Sequence, residues 1–283
     1  MNSPLVTIMM PVFNGNRLIR ASIDSLLAQT YSNWECVIVD DGSTDGTSVY
    51  LDSLTDKRFI VHHFPKNMGR PLARQKALEL AKGKYLAMLD AEDLYSPQKL
   101  ERQVCLMENH PEISLVCSSI CSFGTATNLL RKRGAAKLEI VKFSGRNVPV
   151  HASSMLLLKR AQQFQYNTSL NLGEDADFLS RYLIDCKYLL DPEILYYYSE
   201  FDSVSKTKIL NSYKGKIFAY AKKRDYKKSF VNIIKYVVQR FRFMFISIES
   251  VLASRGSFLS DAEIEAFQLE CRQIVNHINR NEK

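Results

Sequence analysis

Short apolar runs and amphipathic stretches alternate along the first part of the chain: Leu5 to Met10, Arg17 to Gln29, Cys36 to Val39, Ser43 to Leu54 and Phe59 to Phe64. An apolar run of four to six residues suits a strand buried on both faces. A stretch whose apolar positions return every three or four residues suits a helix. The rhythm therefore predicts βαβαβ. It continues with a helix from about Pro71 to Lys82, a strand from Lys84 to Leu89 and a helix from about Pro97 to Asn109. Pro71 fits a first helical turn, where its missing N–H leaves no bond unmade. Strands this apolar, separated by helices, imply an α/β protein with a mostly parallel sheet covered on both faces. Ligands of such sheets lie beyond the carboxyl ends of the strands.

From about 114 to 205 the pattern is less regular, with strand-like Ser114 to Ser118 and His151 to Leu158 and a helix from about Glu174 to Asp185. Beyond about Thr207 the chain turns basic and helical. The expected division is 1–115, 116–205 and a helical extension, 206–283.

Composition narrows the reading only a little. A 283-residue chain with 46% hydrophobic and 24% charged residues can bury a sizeable core. The net charge of +8 favours an anionic partner, whether nucleotide phosphate, nucleic acid or an acidic membrane surface. Six cysteines lie mostly in apolar runs and form no CxxC pair. They suggest a reduced, cytosolic protein. No stretch of about 18 uninterrupted apolar residues occurs, and Pro11 and Asn14 interrupt the N-terminal apolar run too early for a signal-peptide core.

Candidate chemistry gathers at predicted strand ends. Asp40 and Asp41 follow the run Cys36 to Val39 and lead into Gly42-Ser43-Thr44-Asp45. A carboxylate there can accept a hydrogen bond from a base edge, or simply cap the next helix. Asp90, Glu92 and Asp93 follow the strand Lys84 to Leu89. Three carboxylates within four residues repel one another unless a cation joins them. Hard oxygen ligands without His or Cys suit Mg²⁺ or Mn²⁺, and Mg²⁺ takes one or two carboxylates and completes its shell with substrate phosphates. The bland alternative is a solvated loop capping the helix after Pro97. Between the clusters, Asn67-Met68-Gly69-Arg70-Pro71-Leu72-Ala73-Arg74 runs into a helix flanked by two arginines, a setting that attracts phosphate. Neither a Walker A loop nor the GxGxxG fingerprint is present, which argues against phosphate-loop ATPases and nicotinamide enzymes.

Taken together, Val6-Thr7-Ile8-Met9-Met10-Pro11-Val12-Phe13-Asn14, Gln29-Thr30-Tyr31, Asp40 to Thr47 and Leu89-Asp90-Ala91-Glu92-Asp93 resemble the family 2 inverting glycosyltransferases of the GT-A fold over residues 1 to about 115. The resemblance implies a nucleotide-sugar-binding half followed by an acceptor-binding half. It implies that Pro11, Phe13, Asn14, Asp41, Gly69, Arg74, Asp90 and Glu92 bind the nucleotide-diphospho-sugar, with Phe13 packing on the base and Asp41 contacting uracil. Asp93 and Glu92 would hold Mg²⁺ or Mn²⁺. Farther on, His151-Ala152-Ser153-Ser154-Met155 and Gly173-Glu174-Asp175-Ala176-Asp177-Phe178 are similar to two later family segments, the second of which ordinarily supplies the catalytic base. That implies Asp175 as base, with His151 and Glu174 as possible acceptor contacts. Tyr196-Tyr197-Tyr198 followed by Ser203-Val204-Ser205 looks like the family's domain end. Two positions depart from the pattern: Ser199 stands where an Arg is common, and Glu92 where Asp is usual.

The implied reaction is transfer of one sugar, UDP-linked by family analogy, to a hydroxyl of a glycan or lipid-linked acceptor. Two other classes stay open: a nucleotide-sugar-binding scaffold that does not turn over, and a nucleotidyltransferase, which would release pyrophosphate from a nucleoside triphosphate. The basic segment has no recognisable nucleic-acid module, so no specific nucleic-acid partner is expected. Between Phe230 and Leu252 apolar residues form a helical stripe, with Lys228, Lys235 and Arg242 on a different face and Lys222, Lys223, Arg224, Lys227 and Arg240 nearby. Such a helix either lies on an anionic membrane surface or packs its stripe against the core or a partner.

Overall fold

The computed structural model describes residues 3–124, 127–170, 172–199, 205–222, 224–254 and 256–281. Its first half follows the predicted alternation: β1 (Val6–Val12), α1 (Ile19–Leu27), β2 (Trp34–Asp40), α2 (Thr47–Asp52), β3 (Phe59–His63), α3 (Arg70–Leu80), β4 (Tyr85–Met88), β5 (Leu94–Tyr95) and α4 (Lys99–Asn109). There follow β6 (Ile113–Gly124), β7 (Thr127–Arg133), β8 (Glu139–Lys142), β9 (Ser154–Leu157), α5 (Leu158–Ala161), α6 (Glu174–Tyr182) and β10 (Lys187–Tyr198). The described strands make one sheet of order β3-β2-β1-β4-β9-β6-β10-β5, with β7 added on β6 and β8 on β10. β3, β2, β1 and β4 run parallel, and β9 enters antiparallel between β4 and β6. The expected boundary at 115 falls inside β6, so the two halves share one sheet and are not separate units.

Side-chain alternation along β1 explains how both faces of the sheet are covered. Val6, Ile8, Met10 and Val12 point to one face, where they join Ile19 and Ile23 of α1 and Leu100 and Val104 of α4. Met9, with Val37 and Val39 of β2, points to the other, against Ala73 and Ala77 of α3 and Phe178 and Tyr182 of α6. Each Val, Ile, Leu, Met or Phe among them, fully withdrawn from water, contributes about 1.5–3 kcal/mol. Glycine matters at Gly42, where φ is +72° and a Cβ would stand 2.4 Å from the Lys66 backbone. Only a residue without a side chain lets the loop after β3 lie so close to the end of β2.

The extension comprises α7 (Lys206–Lys222), α8 (Tyr226–Phe245), α9 (Ile248–Ala253) and α10 (Asp261–Asn281). The single stripe expected from 230 to 252 is divided, because the Ser247 hydroxyl accepts the Ser250 N–H at 3.2 Å and starts a new helix. α7 and α8 form a hairpin, tied by Ser229 Oγ to the Ile217 carbonyl at 3.1 Å and by Lys206 Nζ to the Phe243 carbonyl at 2.8 Å. α10 returns to the core, where Phe267 packs edge-on against Tyr197 and Glu270 accepts the Tyr197 hydroxyl at 2.6 Å. Ser203, Val204 and Lys223, and the side chains of Lys222, Lys228 and Leu252, lie outside the described residues. All six cysteines are free thiols, and among the described residues no helix is long and apolar enough to cross a membrane.

Candidate active site

The carboxyl ends of β1, β2 and β4 open onto a cavity of about 470 Å³. Of the residues expected to bind the nucleotide-sugar, Pro11, Phe13, Asn14, Asp41, Gly69, Asp90 and Glu92 line it. Phe13 follows β1 directly and is 48% exposed, so it is a cleft wall and not plain core. Asn14 accepts the Thr44 N–H at 2.8 Å and donates its own N–H to Ser43 Oγ at 2.9 Å, which stitches the ends of β1 and β2 together. Asp41 is buried, and its two oxygens accept the N–H groups of Met68 (2.6 Å) and Gly69 (2.9 Å). That pins the glycine loop across the sheet edge, at a Gly69 φ of +95°. Each oxygen keeps a further lone pair for a ligand. Beneath it, burial alone would raise the Asp40 carboxyl, but hydrogen bonds from Ser43, Ser48 and His63 outweigh it and hold the group below the usual carboxylate range.

A second cavity, about 270 Å³, adjoins the first at Asp90, which lines both. Asp175, in the first turn of α6, faces it together with His151, Arg133, Tyr196 and Tyr198. His151 Nε2 bonds the Tyr166 hydroxyl at 2.8 Å, while its buried Nδ1 has no hydrogen-bond partner in the protein. Burial, reinforced by the Arg74 charge, pulls this imidazole down to about 3, so it is neutral at physiological pH. Arg74 joins the walls: one guanidinium nitrogen reaches Asp90 at 3.0 Å and another reaches Glu174 at 2.8 Å. Burial opposes charge on Asp90, but Arg74 and then Arg70 hold its carboxyl below the usual range. At Glu174 burial wins over Arg74 and the carboxyl is raised.

Three expectations change. Asp93, assigned to metal, is fully buried and does not line the cleft; its oxygens accept the Tyr196 hydroxyl at 2.6 Å and the Ser199 N–H at 2.8 Å. Burial and the nearby carboxylates of Asp90 and Glu92 raise it well above the usual range. Arg74, assigned to phosphate, is 3% exposed and committed to two carboxylates. Arg70, one helical turn earlier and exposed, lines the larger cavity in its place. Glu174, assigned to the acceptor, is turned inward onto Arg74 and does not line the second cavity. Ser199 lines the larger cavity, at the position where the resembled family pattern has Arg. Sequence reasoning missed Arg133, whereas Asn67 belongs to the glycine loop it had singled out. Arg70 had a signal, its place in the glycine loop, whereas Arg133 lies on β7 with no motif around it.

For a divalent cation the cleft offers Asp90 and Glu92, two hard carboxylate donors without thiol or imidazole in the same cavity. Among the described residues no group of three or more His, Cys, Asp or Glu could hold a metal. The pair fits Mg²⁺ or Mn²⁺ as an ion shared with a diphosphate, not as an all-protein site.

The sequence profile described as glycosyl transferase family 2 matches residues 7–166. An uncharacterized glycosyltransferase of Methanocaldococcus jannaschii, MJ1057, is 32% identical over 207 residues, which is 70% of this chain and 71% of that protein. The Escherichia coli UDP-Glc:alpha-D-GlcNAc-diphosphoundecaprenol beta-1,3-glucosyltransferase WfgD is 39% identical over 109 residues, 38% of this chain and 42% of WfgD. Among solved structures, residues 1–349 of S. aureus TarS in complex with UDP-GlcNAc superpose with a TM-score of 0.61 at 16% identity, covering 88% of this chain and 78% of that one. The mannosyltransferase PcManGT from Pyrobaculum calidifontis, in complex with GDP-Man and Mn²⁺, gives a TM-score of 0.63 at 13% identity, covering 99% and 88%. Fold and sequence thus define a glycosyltransferase with the GT-A architecture. The chain belongs to glycosyl transferase family 2.

Proposed function

We propose that the chain transfers one sugar from a nucleotide-diphospho-sugar to a hydroxyl of a glycan or lipid-linked acceptor, with inversion at the anomeric carbon. The observation that carries this reading is the pair of adjoining cavities that share Asp90, one walled by exposed Phe13 and the other by Asp175. The donor occupies the larger cavity. Phe13 stacks on the base, Asp41 holds the glycine loop and offers its remaining lone pairs to the base edge, and Arg70 meets the diphosphate. UDP is favoured by the UDP-sugar in the WfgD name and the UDP-GlcNAc complex of TarS; the GDP-Man complex of PcManGT keeps GDP in contention.

Asp90 and Glu92 would hold Mg²⁺ or Mn²⁺, which supplies neutralisation of the charge growing on the departing diphosphate. The acceptor occupies the smaller cavity. Its hydroxyl proton passes to the Asp175 carboxylate as the hydroxyl oxygen bonds to the anomeric carbon. The electrons of the breaking carbon–oxygen bond leave with the diphosphate, on the opposite face. Neutral His151, held by the Tyr166 hydroxyl, forms part of the wall of this cavity. Asp93, Tyr196 and the Ser199 N–H brace the loop that carries Asp90 and Glu92.

The test is Asp175→Asn, assayed as UDP release from UDP-sugars across an acceptor panel. Turnover falls by about 10²–10⁴-fold while donor affinity by calorimetry is unchanged. A variant that turns over at the wild-type rate removes Asp175 as base.

A further inference from the structure

α8 is built the reverse of a helix that covers a core. The residues it withdraws from water are Ser229, Asn232 and Phe243, with Tyr236 and Gln239 half-buried, and they face its hairpin partner α7. The residues it leaves in water include Phe230, Ile234, Val237, Phe241, Met244 and Phe245, each between 48% and 73% exposed. At about 100° per residue, the exposed apolar side chains sweep an arc of about 160°, from Ile233 round to Val231, on the side opposite the buried one. The stripe is therefore not spent on the catalytic core.

Charge indicates what covers it. Exposed Lys235 and Arg242 flank one edge of the apolar arc and exposed Arg240 the other, and α8 contains no Asp or Glu. Residues 206–245 hold twelve of the chain's 38 Lys and Arg against one acid, Asp225, so the rest of the chain is net acidic. A second copy of the same face would bring like charges together along both edges of a two-fold contact, at a cost. An anionic bilayer satisfies both features at once, since acyl chains receive the apolar arc and headgroup phosphates receive the flanking cations.

We infer that α8 docks the enzyme flat on an anionic lipid surface through this face. α7 begins at Lys206, seven residues after Ser199 in the wall of the donor cleft, so the docked hairpin is connected by a short segment to the site. The inference stands on the exposure and charge of α8 and does not rest on the transfer reaction.

The experiment is co-sedimentation of the full chain with phosphatidylcholine vesicles and with phosphatidylcholine vesicles containing phosphatidylglycerol, at low and high salt. The wild type sediments with the anionic vesicles only, and salt weakens it. Val237→Asp with Phe241→Asp abolishes sedimentation without lowering the melting temperature. Arg240→Glu with Arg242→Glu weakens it by roughly twenty-fivefold, at about fivefold per cation. Failure of the folded wild type to sediment, or undiminished binding by the Asp pair, overturns the inference. So does a vesicle-independent wild-type dimer in sedimentation velocity that the Asp pair converts to monomer, which would make a second copy the occupant.

Discussion

β1 and α8 carry comparable runs of large apolar residues and put them to opposite uses. Every side chain of Val6–Met10 is buried between two helical layers, whereas Val237, Phe241 and Phe245 stand more than half exposed. In β1 the strand period sends successive residues to two faces, and both are covered. In α8 the helical period gathers the apolar residues on one face, and the protein covers the other one. The lesson is that apolar patterning predicts that a face will be hidden, but not by what.

The largest expected effect breaks this comparison directly. Ile38→Asp places a carboxylate in the core beneath β2, a change that costs more than about 4 kcal/mol and abolishes folding. Val237→Asp, the same kind of substitution, shifts unfolding by no more than about 0.5 kcal/mol. Denaturant titration of both variants checks this, and equal destabilisation would mean that the α8 face packs against protein.

Next in size is the charge held between these extremes. Arg74→Met leaves Asp90 and Glu174 without their shared partner and costs about 3–5 kcal/mol at neutral pH. Glu174 is already raised by burial, and loss of Arg74 raises it further. A carboxyl raised in the folded state contributes stability that is present at low pH and lost as pH climbs through the folded value. The variant therefore regains stability relative to wild type as pH falls, and thermal melts across mildly acidic to neutral pH would show the gap narrowing. A gap that widens on acidification would contradict the assignment.

The parts of the fold that were legible from residues alone were those in which periodicity and punctuation agreed. β1, β2, β3 and α3 lie within a few residues of expectation, and Pro71 stands in the first turn of α3 as its chemistry required. What was not legible turns on direction. Asp90 to Asp93 form a tight turn, with the Asp93 N–H donating to the Asp90 carbonyl at 3.0 Å, so neighbouring carboxylates diverge: Asp90 and Glu92 face the cleft while Asp93 faces Tyr196. Arg70 and Arg74 share a helix, yet one turn of depth separates a cleft cation from a buried strut. Glu174 and Asp175 are adjacent on α6 and point to different surroundings, because consecutive helical residues are about 100° apart. β9 entering antiparallel carries no local signal, since its pairing is decided by strands distant in sequence.

The cavity walled by Phe13 is proposed to hold a nucleotide-diphospho-sugar. That assignment is tested most directly by calorimetry of UDP-, GDP- and dTDP-sugars with Mn²⁺, on the wild type and on Phe13→Ala. One donor binds, and Phe13→Ala keeps the wild-type melting temperature while its affinity falls roughly tenfold or more, the worth of one base–aromatic stack. No binding of any donor by the folded chain, or equal affinity in Phe13→Ala, would contradict it.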